Sequence, residues 1–129
     1  MDDRRRMLVI TGSLPSDFPQ GDKVVLGGFV ISVVRTKDEC LELIGSGRGG
    51  YQGIVINSGF PNAGEIATMC QCHASFRDTP VVVVDSEPDK WVDWFALGAI
   101  LVIDSPEVTM ADLELAIQQF VGRQALATR

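Results

Sequence analysis

The chain reads as a doubly wound α/β domain, five parallel strands with helices on both faces, and three features of the sequence lead there. Five short runs rich in β-branched residues each end in turn residues. The runs are apolar at successive positions rather than alternating, as parallel strands covered on both sides require. Between most of them lies enough chain for a helix, with apolar residues at helical spacing. Such alternation winds into a three-layer sandwich with right-handed crossovers.

The first run, Met7-Leu8-Val9-Ile10, ends at Thr11-Gly12-Ser13. The crossover from Leu14 to Gly27 contains Pro15, Pro19 and Gly21, which oppose a long helix and predict a shortened or late-starting one. Phe29 to Val34 follows the Gly27-Gly28 break as the second strand. Lys37 to Ile44 reads as a helix, with Thr36 as N-cap and Cys40, Leu41 and Ile44 on one stripe. Gly53 to Ile56, ending at Asn57-Ser58-Gly59, is the third strand. Asn62 to Ser75 carries Ile66, Met69, Cys70 and His73 at helical spacing. Val81 to Val84 follows Pro80 and ends at Asp85-Ser86. Glu87 to Leu97 reads as the fourth helix, with Val92, Phe95 and Ala96 inward. Ala99 to Ile103 ends at Asp104-Ser105-Pro106 as the fifth strand. Met110 to Gln119 is the clearest amphipathic segment, its stripe made of Leu113, Ala116, Ile117 and Phe120.

With 129 residues, the chain is expected to form a single domain with its core over residues 6–121, followed by a tail or the start of a linker over 122–129. A hydrophobic fraction of 46% and a charged fraction of 22% describe a well-cored domain rather than a disordered one. A net charge of −6 speaks against nucleic-acid binding, and the short run Arg4-Arg5-Arg6 reads as a solvated approach to the first strand. The apolar runs are too short for a bilayer, so no membrane partner is expected. Three cysteines, Cys40, Cys70 and Cys72, lack disulfide spacing and suit a reducing cytoplasm.

Four segments resemble response-regulator receiver domains, whose fold is the same flavodoxin-like sandwich. Tyr51-Gln52-Gly53-Ile54-Val55-Ile56-Asn57 with Phe60-Pro61-Asn62-Ala63-Gly64 is similar to the family's third strand and the loop after it. Pro80 through Asp85 resembles its fourth strand, and Gly98-Ala99 with Ser105-Pro106 resembles its fifth-strand unit. The resemblance spans Arg6 to about Val121. It implies the positions of a phosphotransfer site, and there the sequence departs from the family. Thr11 and Gly12 stand where the family has two acids that hold Mg²⁺, and Asn57 stands at the phosphoacceptor aspartate. Asp85 replaces the switch hydroxyl and Ser105 the lysine that contacts the phosphoryl group. An amide cannot form an acyl phosphate, and a hard cation needs charged oxygen ligands. The implied expectation is a pseudo-receiver, not an enzyme and without a cofactor.

Other signals are weaker. Gly45-Ser46-Gly47-Arg48-Gly49-Gly50 matches GxGxxG, but a dinucleotide loop follows a strand and opens a helix, whereas this one does the reverse. It reads as a surface turn. Cys70 and His73 share a helix face while Cys72 points away, and no second cluster completes a metal site. Asp85 and Asp104 end neighbouring strands on the ligand-binding edge of such sheets. The preferred reading has Asp85 capping the fourth helix or bonding nearby amides, over a paired-carboxylate or cation site. Trp91 and Trp94 lie one turn apart on the fourth helix, where two partly exposed tryptophans predict an interface. In the family the face of fourth helix, fifth strand and fifth helix is where dimers and partners dock.

The sequence therefore predicts a module of signalling or transcription control that works by protein contact or dimerisation through that face. The alternative is a ligand-gated domain with a small molecule in the pocket around Thr11, Asn57, Asp85 and Ser105. A flavodoxin-like enzyme is disfavoured, since no loop carries a phosphate-cradling pattern.

Overall fold

A computed structural model describes residues 5–12, 14, 18, 24–46, 50–74, 76–87, 90 and 92–127, with side chains as far as residue 122. Its centre is β1 (Arg5–Ile10), paired in parallel with β3 (Phe29–Val34) on one side and β4 (Gly53–Asn57) on the other. β5 (Val81–Asp85) adds to β4 and β6 (Ala99–Asp104) to β5, both in parallel. The order β3-β1-β4-β5-β6 is the doubly wound arrangement that the alternation predicts.

Parity explains the unbroken apolar runs. Leu8, Ile10, Ile54, Ile56, Val81 and Val83 face one core, while Met7, Val9, Val55, Val82 and Val84 face the other. Every position of β4 and β5, and the last four of β1, is therefore buried. The first core is closed by α1 (Lys37–Gly45), through Cys40 and Ile44, and by α2 (Ala63–Cys72), through Ile66, Ala67 and Cys70. The second is closed by α3 (Met110–Ala127), which lays Leu113, Ala116, Ile117 and Phe120 on the sheet. Arg5 and Arg6 open β1 exposed to solvent, as the sequence suggests, their guanidinium groups 5.8 Å and 4.7 Å from the rings of Phe29 and Tyr51.

The structure corrects the sequence reading in three places. The sheet has six strands, not five. β2 (Val24–Leu26) pairs antiparallel with β3 at the edge. Gly27 and Gly28, at φ of 57° and 85°, form the two-residue turn whose twist suits a hairpin. The late helix expected before Gly27 is thus a strand at Val24–Leu26, and residues 13, 15–17 and 19–23 lie outside the described residues.

The fourth helix expected over Glu87 to Leu97 is also absent among the described residues. Residues 94–98 form successive turns, closed by bonds from Leu97 N to Trp94 O (3.1 Å) and Gly98 N to Phe95 O (3.0 Å). Trp, Val, Asp and Phe are weak helix formers. Asp93 Oδ1 accepts from Ala96 N at 3.2 Å, a local bond that competes with a helix through this point. The third correction concerns α3, which runs past the expected end at Gln119 as far as Ala127.

The start of α1 matches its sequence signal. Thr36 Oγ1 accepts from Glu39 N at 3.2 Å, as the N-cap assignment requires. At α3 the reciprocal pair is Asp112 N to Thr109 Oγ1 (3.2 Å) and Thr109 N to Asp112 Oδ2 (3.0 Å). Thr109→Ala removes one half of this box and is expected to lower stability by about 1 kcal/mol in urea unfolding. An unchanged midpoint would show that the box is ornamental.

Candidate functional site

The carboxyl ends of β1, β4, β5 and β6 bring Thr11, Asn57, Asp85 and Asp104 to one edge of the sheet. Thr11 is fully buried, its amide donating to Val34 O at 3.1 Å. Asn57 is 8% exposed and its side chain is engaged at both ends. Nδ2 donates to Thr11 Oγ1 at 3.2 Å, while Oδ1 accepts from Gly59 N at 2.8 Å and from Ser86 Oγ at 3.3 Å. The Gly59 bond fixes which end of the amide is oxygen, because a backbone N–H can only donate.

Asp85 joins this network through two serines. Ser58 Oγ donates to Asp85 Oδ1 at 3.0 Å and accepts from Ser86 N at 2.8 Å. The Ser58 and Ser86 hydroxyls lie 3.3 Å apart. Glu87 N also donates to Asp85 Oδ1, at 3.0 Å, so Asp85 bonds the nearby amide that the sequence reading assigns to it. The side chains of Asn57 and Asp85 are thereby engaged by their own neighbours.

The other expected residues stand apart. Gly12 lies exposed beside Thr11, with nothing within 4 Å of where a Cβ would be. Ser105 turns its hydroxyl to Glu107 O at 2.7 Å and makes no side-chain bond to Thr11, Asn57 or Asp85. It lines a cavity of about 270 Å³ with Asp104, Pro106 and two members of the network, Asp85 and Ser86. Ser58 and Ser86 escape a reading guided by the positions that match the family. The signal is present nonetheless, since Asn57-Ser58 and Asp85-Ser86 end adjacent strands with the same polar-serine pair.

Chemically, the site offers an amide, hydroxyls already bonded to neighbours, and the carboxylates of Asp85 and Asp104 at the ends of β5 and β6, Asp85 Oδ1 already holding two hydrogen bonds. Magnesium demands near-octahedral oxygen ligation with carboxylate charge, which neither Thr11 nor Asn57 supplies. Among the described residues, no group of three or more His, Cys, Asp or Glu is placed to hold a metal.

The tryptophan reading needs correction. Trp94 is 5% exposed and belongs to the first core, and its indole Nε1 has no acceptor. A buried donor left this way costs about 1–3 kcal/mol. Trp91 lies outside the described residues. The exposed side chains are those expected to face inward: Phe95 at 61% and Val92 at 42%. Without a helix the expected phase does not hold, and the turn ending at Gly98 places Trp94 beneath and Phe95 outside.

The cysteines divide as the helix phase predicts. Cys40 and Cys70 are buried and Cys72 is exposed. Burial pushes the Cys40 thiol up to about 11. Burial, with Cys40 nearby, pushes Cys70 up to about 12. Because thiolate forms less readily in the folded state, these thiols support folding below about pH 9, and that support declines as pH rises towards 11. At neutral pH a thiol reagent is expected to modify Cys72 alone in the native protein and all three cysteines in denaturant. Rapid native labelling of Cys40 or Cys70 would contradict the packing.

No family model and no curated protein matches the sequence. Solved structures do match. The receiver domain of the sensor histidine kinase PA1611 from Pseudomonas aeruginosa, described with a magnesium ion in its active-site cleft, superposes with a TM-score of 0.65 at 13% identity. That match covers 92% of this chain and 98% of the other. The response regulator TrrA from Thermotoga maritima, in complex with Mg²⁺-BeF, gives 0.61 at 13% identity over 90% of this chain and 98% of its own. The response regulator domain of CheB from Thermotoga maritima gives 0.59 at 18% identity, covering 96% and 97%. The chain has the receiver fold of signal-transduction response regulators.

Proposed function

We propose that the chain is a pseudo-receiver, a regulatory module that accepts no phosphoryl group and acts through protein contact. The observation that carries this reading is the Asn57 side chain, held between Thr11 on one side and Gly59 and Ser86 on the other. It supplies no carboxylate nucleophile, and Thr11 and Gly12 supply no charged pair where the family holds the cation that phosphoryl transfer needs. The fold that carries a receiver is present, and an amide held in a hydrogen-bonded network stands where its chemistry would be. Contact with partners, or between copies, then falls to the surface beside β6, where Val92 and Phe95 stand exposed. That takes the place of the Trp91 and Trp94 face.

The network also weighs against the ligand-gated alternative, because the polar groups at Thr11 and Asn57 bond to one another. The test is incubation with acetyl phosphate and Mg²⁺ followed by intact-mass measurement. We expect the unmodified mass; an acid-stable, hydroxylamine-labile phosphoryl adduct would overturn the reading.

A further inference from the structure

We propose that the cleft between the 92–97 turns and β6 binds a basic peptide segment of a partner protein; this rests on, and specifies, the interaction role just assigned. The cleft has a volume of about 340 Å³ and is lined by Asp85, Val92, Asp93, Trp94, Phe95 and Val102. Its charge is of one sign. Asp85 and Asp93 both border it, and Asp104 is the register partner of Asp85 on the adjoining strand. Among the described residues none of these three carboxylates forms an ion pair, and the nearby Lys90 is taken by Glu87 at 2.8 Å. The Asp85 side chain is 8% exposed, and at such burial the absence of a basic partner matters more than at an open surface.

The rest of the lining specifies what accompanies the cation. The exposed Phe95 ring offers a face for a guanidinium or ammonium group, and Val92 and Val102 offer apolar contact. Trp94 forms part of the same lining while 95% buried, an apolar floor rather than an exposed donor. A peptide carries both complements, a cationic side chain for the carboxylates and apolar side chains for Val92, Phe95 and Val102. An isolated metal ion or polyamine would supply only the first. With a net charge of −6, a second copy of the chain is the less complementary occupant.

The probe is the peptide acetyl-Phe-Arg-Leu-amide, compared with the same peptide carrying neutral citrulline in place of arginine, followed in ¹H–¹⁵N spectra of the whole chain. We expect saturable shifts at Asp85, residues 92–97 and Val102, including the Trp94 indole N–H, with the arginine peptide about tenfold tighter. Asp93→Asn keeps the oxygen that caps Ala96 and is expected to reduce that preference; Phe95→Ala is expected to weaken both peptides. Equal affinity for the two peptides, shifts elsewhere, or no saturable binding at millimolar peptide would overturn the proposal. So would sedimentation showing that wild type forms a dimer that Phe95→Ala dissolves. None of these results bears on phosphoryl transfer, so an absent mass adduct beside a failed titration removes the peptide site and leaves the pseudo-receiver reading standing.

Discussion

Asn57→Asp is expected to destabilise the fold by about 2–4 kcal/mol at pH 7, although it makes the sequence more like the family at that position. The side chain is 8% exposed, and the substitution removes the donor that reaches Thr11 Oγ1. It also places a second negative charge in the network that already holds Asp85 through Ser58 and Ser86. No described cation offsets either charge. Burial disfavours the ionised carboxyl, raising its folded-state pKa above the unfolded value. The folded variant then retains protons that the unfolded chain releases, so its deficit grows as pH rises and shrinks on acidification. Urea unfolding of wild type and variant at pH 7 and pH 5 measures this. A variant as stable as wild type at pH 7, or a deficit larger at pH 5, contradicts the network as described.

Gly53→Ala is expected to cost about 3 kcal/mol, at the upper end of what overpacking usually does. A Cβ on Gly53 would lie 2.3 Å from both Cδ2 and Cε2 of Phe120, a separation no real contact tolerates. Neither side can yield easily. Gly53 pairs with Met7 in the centre of the sheet, and Phe120 is fully buried on α3. Gly53→Val is expected to leave little folded protein at all. The mechanism predicts a signature beyond the loss itself. Phe120→Leu, destabilising alone, should partly relieve Gly53→Ala, giving a coupling of at least about 1 kcal/mol in a double-mutant cycle. Simple additivity would mean that the ring does not sit on that glycine.

Most of the scaffold was legible because it is written in periodicity. Runs such as Val81 to Val84 admit little besides a buried strand, and the stripe from Leu113 to Phe120 admits little besides a helix against it. What escaped depended on smaller margins. Val24-Val25-Leu26 is too short to announce a strand, and its pairing is set by the Gly27-Gly28 turn, which a linear reading takes for a break. The segment after Glu87 has an apolar pattern that fits a helix, yet its residues favour one weakly and Asp93 bonds locally.

The candidate site divided in the same manner. Asn57, Thr11 and Asp85 were placed by the strand ends, so position in sequence fixed position in space. Which side chains bond to which was not legible. Ser58 and Ser86 connect the network because β4 and β5 end in register, Asn57 beside Val84, with the serines in the loops just beyond. Trp94 shows the limit most plainly. Its type suggested an interface, but exposure depends on the phase of a backbone that turned out to be turns, and Phe95 took the outer position.

The central claim is that Asn57 closes the strand tip with an amide bonded on both sides, where phosphoryl transfer would need a carboxylate. The measurement that reaches it most directly is a ¹H–¹⁵N titration with Mg²⁺, then with Mg²⁺ and beryllofluoride, watching the Asn57 side-chain amide and the backbone of Thr11, Ser58, Gly59 and Asp85. The account predicts an Asn57 amide pair that exchanges slowly with solvent and does not move through either addition. A saturable displacement centred on Asn57 and Asp85 would contradict it.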